Sequence, residues 1–164
     1  MAITLEAKIG KILHEQGLKL ALAESCTGGL VGDRITNISG SSEYFAGGIV
    51  AYSYEAKAKT LGVSWDTLNQ FGAVSGNTVL EMARGAKQLL GADIAVSISG
   101  IAGPGGGTRQ KPVGTTWVGL AAGDDEWSLE FHFSGNREQN KASSADAALQ
   151  VLLDYLLGNL ENNK

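Results

Sequence analysis

LALAESCTGGLVGDRI, residues 20–35, decides how the chain is read. Leu20 to Ala23 are apolar or small, Glu24-Ser25-Cys26-Thr27 follow, then Gly28-Gly29, and an amphipathic pattern resumes at Leu30. The stretch predicts a short buried strand over 18–23, a tight turn, and a helix over 29–38. Such a turn leaves the first backbone amides of the helix without intrahelical partners, beside Ser25, Cys26 and Thr27. Two readings stay open. Ser25 or Thr27 caps the helix, or Thr27, Gly28 and Gly29 form a wall whose amides receive an anion such as a phosphate. The stretch is neither a dinucleotide fingerprint nor a phosphate loop, because it has no Gly-x-Gly-x-x-Gly and no Gly-Lys-Ser/Thr.

Working outward, Leu5, Ile9, Ile12 and Leu13 fall at helical spacing before Gly17. Residues 47–53 read as a second strand, with short helices over 55–61 and 65–71. Ser75 caps a helix whose apolar stripe includes Val79, Met82, Ala83, Ala86, Leu89 and Leu90, closed by Gly91. Strands follow over 93–99, 115–122 and 127–133, and Ala145, Ala148, Leu149, Leu152 and Leu156 mark a last helix. Helices and strands are interspersed through the whole length without a linker. The expected fold is therefore α/β, a three-layer α/β/α sandwich with a mixed sheet, built as one domain over 1–164.

With 164 residues, a chain of this size buries roughly 70% of the surface its unfolded form exposes, enough for a core without staples. One cysteine excludes an internal disulfide framework, and the absence of a signal-like start points to the cytoplasm. No apolar run reaches the ~18 residues of a membrane span. A net charge of -4 without basic clusters gives no footprint for nucleic acid. The 23 glycines follow no period and gather at element ends, where backbone comes close to something else.

The chemistry has to work with few imidazoles. Only His14 and His132 are present, one in the first helix and one on the polar side of the last strand, so neither a Ser/His/Asp triad nor a His/Cys metal site is expected. Cys26 is either a nucleophile activated by a helix start or a small buried thiol. Attention passes to SGSSEYFAGGIVAYSYEAKAK, residues 39–59, which holds Ser42, Tyr52 and Lys57. Lys57 is either a solvated lysine on a polar helix face or a desolvated amine of lowered pKa that takes a proton from a serine. SISGIAGPGGGTRQKPVGTTW, residues 97–117, is a strand, a long glycine loop and another strand. It is either a connector or a ligand wrap using Ser99, Thr108 and backbone amides. Arg137 opens the final helix as a surface arginine or a phosphate clamp.

AESCTGG, GSSEYFAGGIVAYSYEAK, GAVS, SISGIAGPGGGT, KPVGT and SGNREQN, in this order between about residues 5 and 157, resemble the CinA C-terminal domain family, whose stand-alone members include nicotinamide mononucleotide deamidases. The resemblance implies an α/β/α fold, usually oligomeric. It implies hydrolysis of the carboxamide of nicotinamide mononucleotide to the acid and ammonia, with no metal or organic cofactor. A small-molecule pyridine nucleotide is the expected partner, alongside further copies of the chain in a homo-oligomer. Carried over by motif, Ser42, Tyr52 and Lys57 match the catalytic set, with Ser25 close by. Ser42 is the favoured nucleophile, Lys57 the base and Tyr52 its relay, while Ser25 and neighbouring amides hold substrate or oxyanion. Ser25 as nucleophile is the competing assignment. The loop carrying Gly100, Gly103 and Thr108, with Arg137, is then expected to bind ribose and phosphate. Longer members carry an additional N-terminal domain. The alternative function is a nucleotide-binding or regulatory module without turnover.

Overall fold

The computed structural model describes residues 2–161. A five-stranded sheet in the order β2-β1-β3-β4-β5 forms the middle layer. Its strands are β1 (Leu20–Glu24), β2 (Phe45–Val50), β3 (Ile94–Gly100), β4 (Thr115–Ala122) and β5 (Asp125–His132). β1 runs parallel to both β2 and β3, whereas β4 and β5 are antiparallel, so the sheet is mixed as expected from the interspersed elements.

Helices α1 (Leu5–Gln16), α2 (Leu30–Thr36) and α6 (Arg137–Leu156) lie on one face, over the larger apolar core containing Leu20, Leu22, Val96, Ile98, Val118 and Leu120. On the other face are α3 (Tyr54–Leu61), α4 (Trp65–Phe71) and α5 (Gly76–Leu90). This second core is built of smaller residues, among them Ala21, Ala23, Ala83, Ala86 and Ala95. The even and odd positions of β1 and β3 therefore serve different layers, as a strand buried on both sides requires.

The helix ends follow local chemistry. Thr4, Ser53, Ser64 and Ser75 each accept a backbone N–H of the first turn they precede. α6 opens with a capping box in which Asn136 and Gln139 exchange bonds. Gly85 of α5 fixes how close α3 can come, because a Cβ there would sit 1.9 Å from the Leu61 carbonyl oxygen. That close approach sets the distance of α3, and of Lys57 on it, from the sheet.

Two expectations are corrected here. β2 starts two residues earlier than the sequence indicates and ends at Val50, because residues 51–53 leave the strand to cap α3. α2 is not capped by Ser25 or Thr27: its N-cap is Gly29, which has no side chain to offer, and the carboxylate of Glu24 does the work.

Candidate active site

The parallel strands β2, β1 and β3 deliver their C-terminal ends side by side, and the residues that follow them come together there. The ladders continue past the strand ends: the Ala51 N–H donates to Glu24 O at 2.9 Å, and the Ser25 N–H donates to Ile98 O at 2.9 Å. Ser25 thus stands between the ends of β2 and β3. It lies on the face of α3 and α5, because Ala21 and Ala23 of the same strand pack there.

Lys57 comes to Ser25 from above, on the first turns of α3. Its Nζ donates to Ser25 Oγ at 2.9 Å, to the Ala51 carbonyl at 2.9 Å and to the Tyr52 carbonyl at 3.0 Å. The residue is 1 % exposed and Ser25 7 %. No carboxylate among the described residues lies within ion-pair distance of Nζ. Burial without a counter-charge penalises the ammonium, and the Lys57 pKa falls to about 8. Three acceptors surround an ammonium that has three N–H groups. A neutral amine in the same place gives its two N–H groups to the carbonyls and turns its lone pair to the Ser25 hydroxyl.

Ser42 is not brought to this cluster. It sits exposed in a single 3-10 turn, Ser41–Glu43, that precedes β2, whereas Ser25 and Lys57 lie beyond its far end. Six strand residues separate the two places, roughly 20 Å at the rise of an extended chain. Tyr52 reaches Lys57 only through its main-chain oxygen; its side chain is 62 % exposed and its phenol accepts from Arg137 Nη2 at 3.3 Å.

Ser99 stands on the β3 side of the Ser25–Lys57 cluster. Glu24 pairs with Ile98, so the register sets Ser99 next to Ser25 on the same sheet face. Ser99 is 1 % exposed. Its β4 neighbour, Trp117, lines a 680 Å³ cleft with Phe71, Lys111 and Glu130 that contains neither Ser25 nor Lys57.

Arg137 bridges two loops beside the cluster. Its guanidinium donates to the Gly103 carbonyl at 2.8 Å and to the Tyr52 phenol, linking the loops after β3 and β2 across the end of β1 that bears Ser25. Gly100 ends β3 against Thr116, and Gly103 packs on Val113. The buried Asn140 amide bonds the Ala102 and Gly135 carbonyls at 3.0 Å and accepts the Gly135 N–H at 2.9 Å, so the loop is fixed to the start of α6. Thr108 is exposed and closes its own turn by accepting the Lys111 N–H at 3.0 Å.

The anion wall expected at 27–29 is filled from within. The Glu24 carboxylate, 2 % exposed, accepts the Thr27 hydroxyl at 2.6 Å and the amides of Gly29, Val31 and Gly32 at 3.3, 3.0 and 3.0 Å. Among the described residues the amides of Cys26 and Thr27 donate to no backbone carbonyl. The Cys26 thiol is buried in the core and pushed up to about 11 by that burial, which makes it an unreactive neighbour. Glu24 and Asn140 carry no motif that marks them in the sequence. The one acidic residue ending an apolar strand was the available sign for the first, and the final Asn of SGNREQN for the second.

Comparison with known proteins gives a consistent result. The family model described as CinA C-terminal domain matches residues 2–156. A competence-damage inducible protein of Halothermothrix orenii is 51% identical over 154 residues, covering 93% of this chain and 37% of the relative. A CinA-like protein of Chlorobium limicola is 49% identical over 158 residues, with 93% and 37% coverage. The chain thus spans a little over a third of the length of such relatives. Among solved structures, a CinA superfamily protein of Klebsiella pneumoniae aligns with a TM-score of 0.90 at 34% identity, covering 94% of this chain and 96% of that one. A competence/damage inducible protein of Agrobacterium tumefaciens aligns at 0.88 and 37% identity, with 96% and 99% coverage.

Proposed function

The chain belongs to the CinA C-terminal domain family, and on that premise we propose that it is a serine amidohydrolase that converts nicotinamide mononucleotide to nicotinate mononucleotide and ammonia. The observation that carries the reading is the 2.9 Å approach of a buried, uncompensated Lys57 amine to Ser25 Oγ. A hydroxyl whose proton must be removed without imidazole needs a neutral amine in contact with it. With a pKa of about 8, about one Lys57 in ten is neutral at pH 7.

In the proposed reaction neutral Lys57 takes the Ser25 proton as Oγ attacks the carboxamide carbon. The charge that develops on the amide oxygen is received by the amides of Cys26 and Thr27. The Lys57 ammonium returns a proton to the amide nitrogen, the C–N bond breaks, and ammonia leaves an ester on Ser25. Water, deprotonated by the same amine, hydrolyses that ester and restores the serine. Ser42 has no part in this scheme, and Tyr52 acts through its carbonyl on Lys57 and its phenol on Arg137.

Arg137 and the loop from Gly100 to Gly103 are assigned to the phosphate and ribose. A guanidinium already tied to Gly103 keeps N–H groups for a bidentate anion contact once Tyr52 yields. Thr108, turned into its own loop, is left out. The function is tested by ammonia release from nicotinamide mononucleotide by the purified chain. Release that disappears in Lys57→Ala supports it. Thermal stabilisation by the nucleotide without any ammonia supports the non-catalytic alternative.

A further inference from the structure

We infer that Glu24 is a positioning residue for the nucleophile, whose buried carboxylate fixes the turn that carries Ser25 and the amides behind it. The inference rests on the reading of Ser25 as the attacking group. β1 is otherwise apolar, LALA, and ends in this one acid, which is 2 % exposed. No lysine, arginine or histidine among the described residues forms an ion pair with it. Its charge is instead held by one hydroxyl and three amides, which is about the full accepting capacity of a carboxylate.

The arrangement closes a ring in the chain. The backbone leaves β1 at Glu24, passes through Ser25 and Cys26, and returns to the same carboxylate at Thr27, Gly29, Val31 and Gly32. Gly28 and Gly29 take φ of 62° and 107°, the left-handed region that lets the chain turn back so tightly. Ser25 lies inside the ring on one side of the sheet, while the carboxylate sits toward α2 on the other. Lys57 is fixed independently, by the Ala51 and Tyr52 carbonyls. The distance between base and nucleophile is therefore set by two separate anchors, and Glu24 is the anchor on the serine side. Misplacing reacting atoms by about 1 Å costs on the order of a hundredfold in rate, so such an anchor acts on turnover more than on substrate binding. The same carboxylate takes up the start of α2, so the phosphate of a substrate has to be held elsewhere.

The test compares the native chain with Glu24→Gln, which keeps the shape but puts an amide nitrogen against one of the donors, and with Thr27→Val, which removes one bond of the ring. Thermal unfolding, kcat and KM for ammonia release, and the rate at which a fluorophosphonate probe labels Ser25 are measured on each. For Glu24→Gln the expected result is kcat and labelling rate both lower by about tenfold to a hundredfold with KM within about threefold, at a temperature where the protein is fully folded. Thr27→Val shows the same pattern at smaller amplitude. Native-like kcat and labelling in folded Glu24→Gln overturn the inference. Should that variant not fold, unchanged kcat and labelling in Thr27→Val overturn it equally. A native chain whose Ser25 is not labelled at all overturns the nucleophile reading itself, a result distinct from the other two.

Discussion

Lys57 Nζ stands 2.9 Å from Ser25 Oγ while the carbonyls of Ala51 and Tyr52 occupy its other two hydrogen-bonding directions. The geometry serves a base only in the neutral state, when the lone pair faces the hydroxyl. Activity is therefore expected to rise with pH through a midpoint near 8 and to level off above it. A kcat/KM profile between pH 6 and pH 10 checks this, and a profile flat across that midpoint contradicts the role of the amine.

The same burial has a consequence for folding. Lys57 is held at about 8, below its ordinary 10.5, so between these pH values the unfolded chain binds a proton that the folded chain does not. Stability from this group therefore rises as pH increases from about 8 to about 10.5, and is withheld at lower pH. The full rise is roughly 3 kcal/mol at 1.36 kcal/mol per unit. Subtracting the pH dependence of denaturant unfolding of Lys57→Met from that of the native chain isolates it; the difference should grow over this window and be flat below pH 7.

Arg137 ties Gly103 to Tyr52 and is assigned to the substrate phosphate. Arg137→Ala should raise KM for nicotinamide mononucleotide by about tenfold to a hundredfold, the worth of a lost charged contact, with a smaller change in kcat. Nicotinamide riboside, which has no phosphate, should lose little. Equal losses on both compounds would show that the arginine acts on the loop alone.

Cys26, next to the proposed nucleophile Ser25, should be inert. With its thiol near 11 and buried, about one molecule in a thousand is a thiolate at pH 8. Iodoacetamide should label the native chain far more slowly than the chain in denaturant, and Cys26→Ala should keep most of the activity.

Much of the fold was open to inspection of the sequence because its signals are local. The Ser75 cap and Gly91 stop bound α5 as expected, and the interspersed helices and strands point to a mixed sheet with helices on both faces. The site was less legible because proximity along the chain misleads. Ser42 is close to Lys57 in sequence, yet β2 runs between them and carries them to opposite ends of the sheet. Ser25 is far from Lys57 in sequence, yet parallel pairing of β1 with β2 sets them together. Glu24 looks like an ordinary strand-end acid until the amides that return to it are known. The helix start at 27–29 looked free for a ligand because nothing local shows that the protein fills it with its own carboxylate.

The most direct measurement is ammonia release from nicotinamide mononucleotide by Ser25→Ala and Ser42→Ala, each confirmed folded by its unfolding transition. The account predicts a loss of at least about a thousandfold in kcat for Ser25→Ala, as for removal of a covalent nucleophile, and native turnover for Ser42→Ala. Retained turnover in Ser25→Ala, or its loss in Ser42→Ala, would contradict it.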